Sequence, residues 1–202
     1  PLGIPNIYDR LVQLCFKQVL EPIIEKSFHK NSFGFRPRRS TEHAIATCYH
    51  MVNIAKLHFV VDIDIKGFFD NINHKKLIKQ LQRFKLIDNK ILSIIKCMLK
   101  VETVLPNKDI ILSEKGTPQG GILSPLLSNI VLNELDWWIH SQWSGIKTKG
   151  EYLNASNKSR ALKETNLTEV KIVRYADDFK LFCRDRASAE KMFKLVKIFL
   201  KD

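Results

Sequence analysis

Two adjacent carboxylates stand between two apolar runs near the carboxyl end of the chain. Tyr175-Ala176-Asp177-Asp178 follows the apolar stretch that ends at Arg174 and precedes another that begins at Phe179. This pattern predicts two strands joined by a tight turn, with both acids at the tip. Because neighbouring carboxylates repel each other unless a cation neutralises them, the pair is a candidate ligand set for a divalent ion.

A second acidic strand is predicted upstream, over residues 59–65, where Asp62 and Asp64 alternate with valine and isoleucine. Alternation along a strand places both acids on one face. The exposed face of an edge strand would account for them without any function, but their apolar neighbours favour a central strand, where acids need compensation. If the two strands are neighbours, Asp64, Asp177 and Asp178 would hold two Mg²⁺ ions about 3.5–4 Å apart, as in-line phosphoryl transfer requires.

Two further segments suit nucleotide chemistry. Packing is the simpler account of the Phe68-Phe69 pair and the one favoured for Phe68, whereas Phe69 could lie beneath a sugar and exclude a ribose 2′-hydroxyl. The glycine- and proline-rich stretch 115–125 most often means only a turn, but it opens a helix, whose free N–H groups favour anions. Gln119, beside Gly120 and Gly121, could then contact a nucleotide. Together with the two acidic strands, this loop indicates a polymerase metal site.

The chain is strongly basic, with a net charge of +12 and a pI near 9.6. Such a charge favours a polyanionic partner, and a merely solvated basic surface explains it equally well. The segment Asn31–Arg39 contains three arginines, with Phe33 and Phe35 between them. Two interpretations remain open. The arginines and phenylalanines could contact phosphates and stack on bases, or the phenylalanines could pack in the core while the arginines are solvated. For Arg10, beside Asp9 at a helix start, a weak surface ion pair is the simplest account.

Cysteine and histidine spacing argues against several other classes of protein. The four cysteines and six histidines are scattered, which argues against a zinc site or disulfide framework and predicts reduced, mostly buried thiols. No apolar run of about 18 residues and no secretory signal are present. We therefore expect a cytoplasmic protein, bacterial or alternatively organellar. The abrupt start and the end inside a helical pattern indicate a piece excised from something longer.

Hydrophobic periodicity predicts the elements that must position these residues. The expected helices cover 9–24 (with Asp9 as a candidate N-cap), 40–55, 73–85, 89–100, 124–140 and 188–201, and the strands lie at 59–65, in a hairpin over 102–113 turning at 106–109, and within 170–184. The lysine-rich stretch 141–169 is expected to be a mobile surface insertion. An antiparallel sheet that carries the acids and is backed by helices on one face gives an α+β fold.

Five sequence blocks, taken in order, resemble the reverse transcriptase domain of group II intron-encoded proteins (intron maturases). The blocks are Pro1–Gln13, Ser32–Ser40, Asp64–Ile72, Gly116–Asn129 and Arg174–Phe179. They cover almost the whole chain, and their order makes the resemblance far more specific than any single block would. The resemblance implies a right-hand polymerase with the thumb absent, the fingers over roughly 1–58 and 75–115 and the palm over roughly 59–74 and 116–202.

The resemblance also implies an activity, an RNA-directed DNA polymerase, and assigns residues to it. Asp64, Asp177 and Asp178 would hold two Mg²⁺ ions, and Phe69 and Gln119 would contact the deoxynucleotide. By the same resemblance, Arg10 and Arg36 become candidates for contact with the triphosphate or the template backbone. The implied partners are template and intron RNA, a DNA primer and dNTPs, with no membrane. A homodimer is considered, because apolar surface that a thumb normally covers would favour self-association.

Two other functions remain open at this stage. The charge suits a non-catalytic intron-RNA-binding splicing cofactor, although intact acids at all three positions argue against an exclusively non-catalytic role. Another reverse transcriptase lineage (retron, diversity-generating or CRISPR-associated) is also considered, although Ser124-Pro125 after the Gln119 loop favours the group II pattern. Phe69 disfavours an RNA-dependent RNA polymerase, since a ribonucleotide enzyme needs a smaller or polar residue there.

Overall fold

The computed structural model describes residues 5–86, 88–100, 102–104, 110–112, 114–118, 120–148, 152 and 154–201. The chain divides into two compact units, each assembled from two separate stretches. The first comprises Pro1–Phe28 with Ile65–Asn133, and the second comprises His29–Asp64 with Glu134–Asp202. Where the fingers end and the palm begins remains a sequence-based prediction.

The first unit is mainly helical. Its elements are helices α1 (Ile7–Glu25), α3 (Phe68–Asn71), α4 (His74–Arg83) and α5 (Asn89–Leu99), the hairpin strands β2 (Glu102–Val104) and β3 (Ile110–Leu112), and the start of α6 (Ser124–Ser141). Apolar residues at helical spacing are fully buried, among them Leu77 and Leu81 of α4 and Ile95 of α5. Asn6, rather than the expected Asp9, caps α1, because the Asn6 side chain accepts a hydrogen bond from the Tyr8 amide. The expected turn over 106–109 lies outside the described residues.

The second unit is built on a three-stranded antiparallel sheet. Its strands are β1 (Phe59–Asp64), β4 (Val170–Tyr175) and β5 (Asp178–Cys183), in the order β1-β5-β4. The central strand is therefore β5, and the expectation that the first acidic strand is central is wrong within the described sheet. Asp62 and Asp64 are exposed on this edge strand, while Val61 and Ile63 are half-buried, so the two acids face solvent and carry no large burial cost.

Helices cover both faces of this sheet, rather than one face as expected. Val173 and Phe182 pack into a cluster with residues of α2 (Thr41–Tyr49) and of the π-helical turn that follows it (His50–Ile54). Arg174, whose side chain points to the opposite face, is bound by Asp136 of α6. Helix α8 (Arg186–Phe199) also packs against the sheet, and Asp185 caps it by accepting a hydrogen bond from the Ser188 amide.

The stretch 141–169, expected to be a mobile surface insertion, contains a helix. Helix α7 (Ala155–Lys163) lies within it, and the side chains of Trp143 and Leu162 are buried. The prediction missed this helix because polar and lysine residues dominate the stretch and leave few apolar residues to mark a buried face. Over the part of the chain that the structure describes, no helix is both long and apolar enough to cross a membrane.

Candidate active site

The two acidic strands pair directly, and this pairing sets an aspartate of each strand at opposing positions. In the antiparallel register, Asp64 of β1 is opposite Asp178 of β5, and Tyr175 of β4 is opposite Asp178 on the other side. Ala176 and Asp177 therefore form a two-residue hairpin loop. Ala176 has φ of 58°, in the left-handed region that non-glycine residues rarely occupy. Asp177 is consequently presented at the tip of a tight turn beside the Asp64–Asp178 pair.

A lysine already neutralises part of this acidic cluster. Lys180 Nζ lies 2.8 Å from Asp62 Oδ1 and 3.1 Å from Asp178 Oδ1. The hydrogen bond that Lys180 donates to Asp62 is the largest cause that raises the pKa of Lys180; burial opposes it, and the hydrogen bond donated to Asp178 raises the pKa further. Lys180 therefore stays protonated, and Asp178 is shown to attract a cation in this geometry.

The carboxylates suit a divalent ion in donor type and in placement along the strands. Within the described ranges, no group of three or more histidine, cysteine, aspartate or glutamate side chains is gathered closely enough to hold a metal ion. Mg²⁺ does not require such a cage, because in phosphoryl-transfer sites it is bound by one or two carboxylates together with water and substrate phosphates. The cross-strand pair Asp64–Asp178, with Asp177 adjacent in the turn, offers carboxylates of that kind.

The first unit holds the segment around Phe69 against the glycine-rich loop. Thr117 N donates a hydrogen bond of 2.7 Å to Phe69 O, and Gly116 N donates one of 2.7 Å to Ile72 O. His74 Nε2 donates to Gly116 O at 2.6 Å. Phe69 itself is half-buried and packs edge-to-face on Phe68. The structure thus brings Phe69 and this loop together, while Gln119 lies outside the described residues.

Close backbone approach makes a glycine necessary at position 116. Gly116 has φ of 88°, and a Cβ there would lie 2.8 Å from Asp70 O. A side chain at this position would therefore collide with the backbone next to Phe69, in addition to the strain of a positive φ.

The arginine-rich segment resolves into core and surface parts. Phe33 is buried in the cluster on the sheet, whereas Phe35 is 49% exposed. Arg36 is buried, and its Nη1 donates hydrogen bonds of 2.7 Å each to His29 O and Ser32 O. This nitrogen therefore holds the loop together, and phosphate binding by Arg36 remains a prediction. Arg10 is exposed on α1, as a surface contact would require.

Three residues next to the acidic turn were not singled out as site residues by the sequence reasoning. Arg174 and Asp136 form an ion pair with both side chains buried, and Gly34 lies against the backbone of Ala176. The available signal was the charge itself: Arg174 interrupts an apolar strand, and Asp136 interrupts the apolar run of α6. Buried charges of this kind require partners, but the 38 residues that separate the two hid their pairing.

Comparison with protein families gives a match over the whole chain. The family described as reverse transcriptase (RNA-dependent DNA polymerase) matches residues 1–202. Protein YkfC of Escherichia coli is 34% identical over 197 residues, which cover 91% of this chain and 50% of that protein. The group II intron-encoded protein LtrA of Lactococcus lactis is 36% identical over 216 residues, covering 89% of this chain and 35% of LtrA. The chain thus spans half or less of the length of these relatives, and the matches confirm the resemblance carried by the five sequence blocks.

A solved structure shows the same fold at low sequence identity. The apo telomerase of Candida tropicalis, truncated from its C-terminal domain, aligns with a TM-score of 0.55 and 15% identity, covering 92% of this chain and 36% of the telomerase chain. At that identity the similarity concerns the fold alone, and it confirms the expected α+β polymerase fold.

Proposed function

The chain belongs to the reverse transcriptase (RNA-dependent DNA polymerase) family, and we propose that it carries the polymerase centre of a group II intron-encoded protein. In this role it adds deoxynucleotides to a DNA primer on an RNA template. The observation that carries the proposal is the pairing of Asp64 with Asp178 across β1 and β5, with Asp177 in the adjoining turn. The bacterial relative LtrA, named a group II intron-encoded protein, supports an intron origin and a bacterial cytoplasmic setting.

The proposed mechanism assigns the carboxylates to binding and positioning. Asp64, Asp177 and Asp178 would hold two Mg²⁺ ions, which when bound supply charge neutralisation for the triphosphate and the attacking 3′-hydroxyl. The hairpin keeps Asp177 and Asp178 in fixed register with Asp64, so little reorganisation is needed when substrate arrives. No covalent intermediate with the protein is required.

We assign substrate selection to residues of the first unit and to two arginines. Phe69, held by the Thr117 amide, would exclude a ribose 2′-hydroxyl, and Gln119 would contact the dNTP. Arg10 and Arg36 would contact the triphosphate or the template backbone. In this proposal the fingers comprise roughly 1–58 and 75–115, and the palm comprises roughly 59–74 and 116–202. Intron RNA binding, in support of splicing and retrohoming, is a second role of the same protein.

The decisive experiment is primer extension by the full reading frame that contains this chain. On an RNA template with Mg²⁺ and dNTPs, wild-type protein should extend a DNA primer, and Asp177→Ala should lower the rate by about a thousandfold or more, since it removes a ligand of the charge-stabilising ions. Asp185→Asn is the matched control, because it neutralises an acid on the same unit while asparagine still caps α8. Absence of extension by folded wild-type protein, or full activity of Asp177→Ala, contradicts the proposal.

The basic charge supports a second candidate function, that of an intron-RNA-binding splicing cofactor without catalysis. The net charge of +12 is its main support, together with relatives whose names refer to introns. The two candidates differ in what wild-type protein does: the polymerase should extend a primer, whereas a non-catalytic cofactor should bind intron RNA and extend none.

A further inference from the structure

Arg174 makes an unusually complete set of contacts for a buried charge. Its Nε donates to Asp136 Oδ1 at 2.9 Å, and its Nη2 donates to Asp136 Oδ2 at 2.7 Å. The side chains of Arg174 and Asp136 are 0% and 1% exposed. The carboxylate of α6 therefore fixes the guanidinium plane through two parallel hydrogen bonds, a geometry that lysine cannot reproduce.

The third nitrogen of the same guanidinium, Nη1, contacts the acidic turn. Arg174 Nη1 donates a 2.7 Å hydrogen bond to Ala176 O. Ala176 has the left-handed φ described above, and its carbonyl carbon is bonded to the nitrogen of Asp177. The peptide that enters Asp177 is thus held by a group whose own orientation is set by Asp136.

A second segment, residues 31–34, packs directly against the acidic turn. Arg174 N donates to Asn31 O, and Phe33 N donates to Arg174 O, both at 2.9 Å, so residues 31–33 run alongside β4. A Cβ on Gly34 would lie 2.3 Å from Ala176 N, a distance that no side chain can adopt. The backbone at Gly34 consequently leaves Ala176 no room to move in that direction.

Stability alone does not account for this arrangement. A buried ion pair is costly to desolvate, and well-packed apolar residues of similar volume are often as stable. An apolar pair would hold α6 against β4, but it would leave the Ala176 carbonyl without its donor. The ion pair is therefore needed for placement of the turn.

We propose that Arg174, oriented by Asp136 and opposed by Gly34, is a positioning residue that fixes the Ala176–Asp177 peptide and so sets the metal affinity of the acidic turn. The inference rests on the proposed polymerase function of that turn. Substitutions in the outer shell of a metal site typically cost about 10- to 100-fold in metal affinity or activity, and this range is the effect to be expected here.

The test compares divalent-ion binding in conservative variants of the full reading frame. Arg174→Lys keeps the positive charge but cannot form the two parallel hydrogen bonds to Asp136. Asp136→Asn keeps the size and shape of the side chain but removes its negative charge. We expect Mn²⁺ dissociation constants, measured by electron paramagnetic resonance, to rise about tenfold or more. The Mg²⁺ concentration for half-maximal extension should rise in parallel, while KM for dNTP stays within about twofold at saturating Mg²⁺.

Arg184→Lys provides the matched control. Arg184 pairs with Glu169 at 2.8 Å, next to the ends of β5 and β4 that lie away from the acidic turn. This variant also weakens an arginine–carboxylate pair on the same sheet, and it should leave Mn²⁺ binding unchanged. Folded Arg174→Lys and Asp136→Asn proteins that bind Mn²⁺ as Arg184→Lys does would overturn the inference.

If the ion-pair variants do not fold, Gly34→Ala provides a second test of the inference. Its added methyl would collide with Ala176 N and removes neither side chain of the ion pair, so weakened Mn²⁺ binding supports the inference and wild-type binding overturns it. Failure of the polymerase proposal is separately visible. Wild-type protein that binds Mn²⁺ but extends no primer contradicts the function, whereas an active wild type with unaffected variants contradicts only the positioning role.

Discussion

The ammonium group of Lys180 is a resident cation in the acidic cluster, within hydrogen-bonding distance of Asp62 and Asp178. A divalent ion bound at Asp178 must share that carboxylate with the ammonium and also lie near a like charge. An exposed pair of this kind contributes at most about 1 kcal/mol, or about fivefold in an equilibrium constant. We therefore expect Lys180 to adjust the affinity of the proposed site for metal by a few-fold.

Lys180→Gln should lower the Mg²⁺ concentration required for half-maximal primer extension by about two- to fivefold, because a competing cation is removed. Titration of activity with Mg²⁺ at constant ionic strength measures the effect. Lys194→Gln, on the exposed surface of α8, changes the net charge equally and should not shift the titration. A higher Mg²⁺ requirement in Lys180→Gln would show that the lysine supports the metal site instead.

His29 lies beside the Arg174–Asp136 pair in a position that favours the neutral imidazole. Its Nδ1 accepts a hydrogen bond from Asn31 N, and its Nε2 lies 3.2 Å from His140 Nδ1, so the hydrogen-bond network places the single proton on Nε2. Burial is the main cause that lowers the pKa of His29 to about 4; Asp136 opposes it, and His140, Lys30 and Arg174 lower the pKa further. Protonation of His29 therefore disfavours the native state.

We expect this histidine to make the protein acid-sensitive. The unfolded state takes up the proton near pH 6.5 and the native state only near pH 4, so the contribution is fully present above pH 6.5 and is lost as the pH falls toward 4. Between these pH values the free energy of unfolding should fall by up to about 1.4 kcal/mol per pH unit, the slope for one proton. Urea unfolding at a series of pH values should show this slope in wild type and a shallower one in His29→Gln. His58→Gln, at an exposed position, should keep the wild-type slope, and an equal slope in His29→Gln would refute the assignment.

At the scale of elements, the glycine loop and the segment around Phe69 are joined by backbone hydrogen bonds and should move together. The amide of Thr117 and the carbonyl of Phe69 are directly bonded, and Gly116 permits the approach. Displacement of this loop should therefore move Phe69 as well. Under the proposed function, sugar selection should then depend on the loop as well as on the aromatic ring.

Gly116→Ala should reduce dNTP incorporation by as much as about a hundredfold, because small displacements of positioning groups carry penalties of that size. It should also weaken discrimination against ribonucleotides, in the same direction as Phe69→Ala. Single-nucleotide extension with dNTP and rNTP measures both effects. Gly67→Ala is the control, since it has a similar positive φ of 62° but its Cβ would meet only Asn71 Nδ2 at 3.4 Å. Equal sugar discrimination in the two glycine variants would contradict the coupling.

Most local elements could be predicted from the sequence, whereas contacts between distant segments could not. Periodic apolar positions were sufficient for helices such as α4 and α5, and the two apolar runs on either side of the acids were sufficient for the hairpin at Asp177. The helix α7 was missed because its composition is polar and few of its residues are apolar. The edge position of β1 and the Arg174–Asp136 contact depend on pairing between distant segments, which a single sequence does not encode in any local pattern.

At the scale of the whole molecule, charge is the property most relevant to partners. Thirty-three lysines and arginines outnumber twenty-one acids, and part of the acidic complement is committed to internal contacts such as Asp136 with Arg174. The excess positive charge remains available to a phosphate backbone, whose condensed counterions are released on binding. We therefore expect RNA affinity to depend strongly on salt and only weakly on the carboxylates of the acidic turn.

Intron RNA binding by the full reading frame should weaken by about a hundredfold between 50 and 200 mM salt, for roughly five neutralised phosphates at the slope typical of single strands. Asp177→Ala should bind equally well, because the loss of one carboxylate removes no phosphate contact. Filter binding at several salt concentrations gives the slope, and an unrelated RNA of equal length gives the specificity. A flat salt dependence would contradict the electrostatic account. Equal affinity for the unrelated RNA would contradict the splicing role while leaving the polymerase proposal intact, since a polymerase must accept templates of many sequences.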